Sequence, residues 1–289
     1  MANTIRDIQA GGMTFRTREA GVPGGEPVLL LHGFPETSHM WVDLLPLLAE
    51  AGYQCFAPDQ RGYSPGARPE GSENYQTHLL AADVIAIAAA VGFASKFHLI
   101  GHDWGAGVGW RTVLRYPDRI QSWTSLSIPH PTSYGRAYRD DPDQQQRSQY
   151  ISHFQEPGVA EAAMSANGYE RLKAIWSKSS PEEREEYISV FTQPGALTAA
   201  LNWYRGSFGS TKNPAGDGDT DVHVPTLTIW GNQDQAVGRS TTETAANYMK
   251  DYYRFLEMDA GHWLIQEKFA EVSQEILAHL KQFPIQRSG

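Results

Sequence analysis

The run Leu99 to Gly107, LIGHDWGAG, holds an aspartate between glycines at the spacing of a nucleophile elbow. That elbow is a sharp strand-to-helix turn that lifts its central side chain into a cleft and most often carries serine. Here the centre is Asp103. A carboxylate is already ionised, so it can displace a leaving group at a saturated carbon directly and become an alkyl ester. Releasing the product then requires water, a base and a group that orients the base. His262 in MDAGHWLIQE and Asp234 in LTIWGNQDQAV supply both, in the chain order nucleophile, acid, histidine. Asp259 competes for the orienting role by its nearness to His262. Three residues along an extended turn do not obviously bring it under the imidazole, so Asp234 is the better candidate. Ester hydrolysis develops charge on a carboxyl oxygen of Asp103, which two backbone amides can stabilise. The candidates are Trp104, next after the nucleophile, and Phe34 in LLLHGFPE, where Gly33 allows a sharp turn and Pro35 fixes the backbone beyond. Alkyl halides and epoxides suit this chemistry.

An epoxide needs one thing that a halide does not, a proton donor for the oxygen as the ring opens. Phenols suit the task, being weak acids that donate a hydrogen bond. Two tyrosines stand in suggestive contexts, Tyr150 in SQYISHFQEPGVAE and Tyr204 in ALNWYRGSF, with His153 as a neighbour of the first. Each residue taken alone has a plainer reading. Loop aspartates often cap turns, tyrosines pack at interfaces, and His32, His98 and His102 read as buried, hydrogen-bonded histidines. The joint order and spacing carry the chemical reading.

The elements that would position these residues alternate. Apolar runs PVLLLHG, YQCFAPD and KFHLIGHD alternate with helical patterns, including Ser38 to Glu50, whose Trp41, Leu44, Leu45 and Leu48 recur at helical spacing before Gly52, and about Gly105 to Tyr116. Strand and helix taking turns predicts an α/β fold with a mostly parallel central sheet flanked by helices. The three reactive candidates then fall just beyond strand ends, where ligand sites of such sheets collect. Between about Pro131 and Asp221 the rhythm breaks into polar helices, such as SPEEREEYISVFTQ, followed by a return loop NPAGDGDTD. The expected organisation is therefore a first core part over 1–130, a helical cap insertion over 131–220 that covers the elbow, and a second core part over 221–289.

With 289 residues the chain is long enough to bury a substantial core. A formal net charge of −9 with no Lys/Arg cluster argues against nucleic acid as a partner. No window approaches the roughly 18 apolar residues of a membrane span, and the amino terminus has no signal-like apolar stretch. The single cysteine, Cys55, reads as a buried core thiol, which together with these absences leads us to expect a cytoplasmic protein. No His/Cys/Asp cluster has metal-ligand spacing.

HGFPE at His32 to Glu36, GHDWGA at Gly101 to Ala106, FQEPGVAE at Phe154 to Glu161 and NWYR at Asn202 to Arg205 together resemble the soluble epoxide hydrolases of the α/β-hydrolase superfamily. The resemblance runs through core and insertion. It implies an α/β-hydrolase fold with a helical cap, no metal or organic cofactor, and a small-molecule epoxide and water as reactants. It also implies two ring-opening tyrosines, which by motif fall on Tyr150 and Tyr204, and a pocket to which Phe34, Trp104 and Trp203 contribute apolar surface. Haloalkane dehalogenases are similar in fold and share a tryptophan after the nucleophile, but often carry Asn where Phe34 stands. A dehalogenase and a non-catalytic ligand-binding protein on the same fold are therefore the alternatives.

Overall fold

The computed structural model describes residues 3–208 and 220–286. Eight strands form one sheet in the order β1-β2-β4-β3-β5-β6-β7-β8. They are β1 (Thr4–Ala10), β2 (Met13–Ala20), β3 (Glu26–Leu31), β4 (Tyr53–Pro58), β5 (Phe97–His102), β6 (Ile120–Leu126), β7 (Thr226–Gly231) and β8 (Tyr253–Met258). From β4 to β8 the pairing is parallel, as expected. Strands β3 and β5 lie at the centre, and from Val28 and Phe97 onward they are apolar or hydrogen-bonded and fully buried, as strands covered on both faces must be. The amino-terminal hairpin β1–β2, which joins the sheet antiparallel to β4, is an addition to the expected elements.

Helix α1 (Leu44–Glu50) rests on β2 and β4. Helix α2 (Thr77–Ala90) packs beside α3 (Trp104–Arg115), which lies over β3, β5 and β6. The expected helix from Ser38 to Glu50 is split into a 3-10 turn, Ser38–Trp41, and α1. Pro46 explains the break. Inside one continuous helix it would remove a hydrogen bond and press its ring on the carbonyl four residues back, whereas in the first turn of α1 it needs no such partner. The four apolar residues of the pattern are buried regardless.

Between β6 and β7 every described element is helical: α4 (Pro131–Asp140), α5 (Pro142–Arg147), α6 (Gln149–Phe154), α7 (Val159–Ile175), α8 (Pro181–Phe191) and α9 (Ala196–Phe208). Helix α7 is broken at Ala166–Tyr169 by non-helical backbone. Helix α8 opens on a capping box, with Ser180 Oγ accepting from Glu183 N at 3.1 Å and Glu183 Oε2 accepting from Ser180 N at 2.7 Å. Most of the expected return loop NPAGDGDTD lies outside the described residues. Short α10 (Ser240–Glu243) and α11 (Leu264–Glu267) precede α12 (Phe269–Gln282), which returns to pack on β6. The helical segment is fastened to the sheet by Glu186, which pairs with Arg16 at 2.8 Å and Arg18 at 2.7 Å, both from β2. No helix among the described residues is long and apolar enough to cross a membrane.

Candidate active site

Asp103 stands between the end of β5 and the start of α3 with φ 50° and ψ −121°, a strained backbone for any residue with a side chain. Close packing enforces it. A Cβ at Gly101 would lie 2.5 Å from Gly105 O, and one at Gly105 would lie 2.2 Å from Leu31 O, so strand and helix meet with no room for side chains. The Asp103 carboxylate accepts a hydrogen bond from Phe34 N at 2.8 Å and another from the Trp104 amide. Both expected amides therefore face the carboxylate itself.

Its other oxygen lies 3.3 Å from His262 Nε2. On the far side of the ring, His262 Nδ1 donates to Asp234 Oδ2 at 2.7 Å. Asp234 is held in turn, its Oδ1 accepting from Ala236 N at 2.8 Å and Val237 N at 2.9 Å. The competitor Asp259 accepts from Gln233 Nε2 instead. Three residues, the first and last in the chain separated by 159 positions, thus meet in one hydrogen-bonded row.

The charges in this row are strongly coupled. Burial disfavours imidazolium, but the carboxylates of Asp234 and Asp103 outweigh it and hold the His262 pKa well above the ordinary imidazole value. Burial would likewise raise Asp103, yet the hydrogen bond and charge of His262 and the Trp104 amide pull it below the usual carboxylate range. Both shifts favour the charged forms, carboxylate at Asp103 and imidazolium at His262.

Tyr150, on α6, and Tyr204, on α9, face the elbow with ring centroids 6.1 Å apart. Burial raises the pKa of both phenols well above the ordinary value, and the Asp103 charge adds to the effect, so both remain protonated donors at neutral pH. Two cavities, of about 610 and 930 Å³, each include Asp103, Tyr150 and Tyr204 in their walls. The smaller is mostly apolar, with Trp104, Trp110, Leu114 and Phe208. The larger includes Phe34, Phe154, Ile175 and His262. His153 also borders the larger one, but its Nδ1 lies 3.1 Å from Gln149 O on its own helix, and it takes no part in the smaller.

A family model described as the alpha/beta hydrolase fold matches residues 26–269. Epoxide hydrolase A of Mycobacterium tuberculosis is 34% identical over 319 residues, spanning 96% of this chain and 98% of its own. The chain belongs to the epoxide hydrolases of the α/β-hydrolase superfamily. The crystal structure of epoxide hydrolase A from Mycobacterium thermoresistibile superposes on this hydrolase with a TM-score of 0.82 at 31% identity, covering 99% of this chain and all of that one. A point mutant of a Bacillus megaterium epoxide hydrolase, solved with its product (R)-3-[1]naphthyloxy-propane-1,2-diol, gives a TM-score of 0.82 at 26% identity over 96% of this chain and all of that one.

Two expectations need correction in this epoxide hydrolase. Trp203 borders neither cavity. Its indole packs edge-on against Trp104 and Tyr63 and donates to Arg61 O at 2.9 Å, because on α9 it points about 100° away from Tyr204. Gly33 is needed for space rather than for an unusual turn. Its φ is not positive, whereas a Cβ there would lie 2.4 Å from Asp103 Cβ and 2.5 Å from its Oδ1.

Further residues that sequence reasoning had not placed at the site support it from behind. His102 Nε2 and Ser127 Oγ both donate to the His262 carbonyl, at 2.9 and 2.8 Å, fixing the backbone that carries the imidazole. Arg147 Nη1 donates to Asp234 O at 2.6 Å. Glu36 is fully buried, 3.3 Å from His102 Nδ1 and accepting from Gln266 Nε2 at 2.7 Å, and burial pushes its pKa up. The HGFPE and GHDWGA motifs contain Glu36 and His102, but nothing in their spacing reveals that the two meet. His32 is structural as expected. Gln60 N donates to its Nε2 at 3.1 Å, so Nδ1 carries the proton and donates to Gly33 O at 3.0 Å. His98 is likewise engaged, by Ser122 and Glu26.

Proposed function

We propose that this hydrolase converts epoxides to vicinal diols in two steps through an ester on Asp103. In the first, Asp103 Oδ2 attacks an oxirane carbon and the C–O bond of the ring breaks, while Tyr150 and Tyr204 hydrogen-bond the departing oxygen. The alkoxide takes up one proton, which the His262 imidazolium can spare once the Asp103 charge has been consumed by ester formation. Losing that anionic partner lowers the pKa of His262 and leaves a neutral base. In the second step water gives its proton to His262 and its oxygen to the Asp103 carbonyl carbon, with the resulting oxyanion held by Phe34 N–H and Trp104 N–H. Collapse releases the diol and restores the carboxylate and imidazolium. The cycle then closes with no proton left over.

The observation that carries the epoxide reading is the pair of protonated phenols at the place where both cavities meet Asp103. A halide would want a second N–H donor opposite Trp104. The side chain of Phe34 offers none, and the Trp203 N–H is spent on Arg61 O. In this reading helices α4 to α9 form a cap that brings the tyrosines over the elbow. Small epoxides and water are the reactants, and a cytoplasmic setting fits the lone buried cysteine.

A paired assay tests it, following diol formation from a small aryl epoxide and halide release from a bromoalkane, with Asp103→Ala alongside. We expect diol without halide, and a loss of about 10⁴-fold or more in Asp103→Ala. Halide without diol would make the enzyme a dehalogenase, and substantial diol from Asp103→Ala would remove the nucleophile from its role.

A further inference from the structure

The loop that presents Phe34 N–H to Asp103 is held mostly by the core. Gln60 Nε2 donates to His32 O at 2.6 Å, and Glu36 N and His32 Nδ1 both donate to Gly33 O at 3.0 Å. The carbonyl of Pro35 is served differently. It accepts from Trp176 Nε1 at 3.0 Å, a buried bond across 141 positions, and Trp176 lies in the 3-10 turn Trp176–Lys178 between α7 and α8. The indole has little freedom, packed against Tyr187 at 5.4 Å and Phe191 at 6.0 Å. Phe191 in turn meets the Phe34 ring edge-on at 6.0 Å. The helical segment therefore grips both sides of the Phe34–Pro35 peptide, the Phe34 ring through Phe191 and the Pro35 carbonyl through the indole N–H.

We propose that Trp176 is a positioning residue for ester hydrolysis, holding the Phe34 N–H where the oxyanion of the Asp103 ester forms and so setting the helical segment and the oxyanion hole as one unit. This rests on the two-step reading above. The two half-reactions depend on the loop unequally. Ring opening places no new charge on the oxygen that Phe34 N–H faces, whereas hydrolysis places a full charge there. Loss of one such donor costs about 10²–10³-fold in rate, and a shift of about 1 Å can cost about 10²-fold. A loosened loop must slow the second step and spare the first.

Rapid-quench single turnovers on an aryl epoxide, read by intact mass, separate the two rates in the full-length enzyme. For Trp176→Phe we expect ester formation within about twofold of wild type. Its decay should be at least about tenfold slower, so that ester accumulates in the steady state. Unchanged decay, or equal slowing of both steps, overturns the proposal. If Trp176→Phe does not fold, benzothienylalanine at position 176 keeps the shape, lacks the N–H and carries the same expectations. A wild-type enzyme that forms no ester overturns the two-step reading itself, whereas ester that forms and decays normally in the variant overturns only the role of Trp176.

Discussion

His262 sits between two carboxylates, and which of them is charged decides what the imidazole does. In the free enzyme both flank the ring, and together they hold its pKa well above the ordinary imidazole value. Once Asp103 is an ester only Asp234 remains, and the ring can act as a base. His262→Gln should therefore still form the ester but hydrolyse it at least about 10²-fold more slowly, visible as a mass increment equal to the whole substrate. Absence of that increment would count against the two-step scheme. The pH profiles carry the same logic with a sign for each limb. Asp103 must be ionised to attack, so kcat/KM falls only as pH drops through its depressed pKa, below the ordinary value of about 3.9. His262 must be neutral in the ester, so with hydrolysis limiting kcat falls as pH drops through the pKa of His262, which Asp234 still raises and which lies above that of Asp103. Coincident acid limbs would show that one group governs both steps. The types and order of Asp103, Asp234 and His262 were legible in sequence because elbow chemistry requires them. The donors to the His262 carbonyl, His102 and Ser127, were not, since any hydroxyl or imidazole could serve and only the folded backbone brings that carbonyl to them.

At the scale of elements, two motifs that look separate in sequence prove to be one contact. Arg205, beside Tyr204 on α9, pairs with both oxygens of Glu161 at 2.7 and 2.9 Å and donates to Phe154 O at 3.2 Å and Glu156 O at 3.3 Å. Glu161 Oε2 also accepts from Gly158 N at 2.8 Å, opening α7. The arginine of NWYR therefore fixes α9 against the junction of α6 and α7, and with it the distance between Tyr204 and Tyr150. Arg205→Met keeps much of the stem but leaves a half-buried carboxylate with only the Gly158 amide as partner, which should lower stability by about 1 kcal/mol. Ring opening should slow by about tenfold while ester hydrolysis is little changed, because the phenols act only in the first step. Urea unfolding and rapid-quench turnovers check the two parts, and an undiminished unfolding midpoint would show that the clamp is dispensable. Strands β3, β4 and β5 were legible as apolar runs, whereas β6, whose IQSWTSL mixes polar with apolar residues, was not recognised. The hairpin β1–β2 was not recognised, although Gly11 and Gly12, both at positive φ, join its strands in a manner common to tight hairpins. Its outer strand is largely exposed, so no apolar pattern announced it.

The whole molecule decides what kind of epoxide fits, which no local pattern could show, because cavity shape depends on how six helices settle over the sheet. The placement of Trp203 illustrates this: its type suited a pocket wall, yet its direction around α9 buried it behind Trp104. Asp103 and both tyrosines line each cavity, so the proposed reaction centre has space toward Trp110 and Leu114 and also toward Phe154 and Ile175. A terminal epoxide would fill one side only, whereas an epoxide with an aryl group on each carbon would fill both. Burying a phenyl ring contributes about 2 kcal/mol, roughly 30-fold in kcat/KM if the contact is kept in the transition state. Trans-stilbene oxide should therefore be turned over with kcat/KM at least equal to that of styrene oxide. Leu114→Trp narrows the smaller cavity and Ile175→Trp the larger. Each should lower kcat/KM for stilbene oxide by about tenfold, the loss of most of one ring's contribution. Styrene oxide, needing one side, should be affected by no more than one of the two. If both variants impair the small substrate as much as the large one, the cavities do not serve as two arms of one site, and binding is confined to a single chamber.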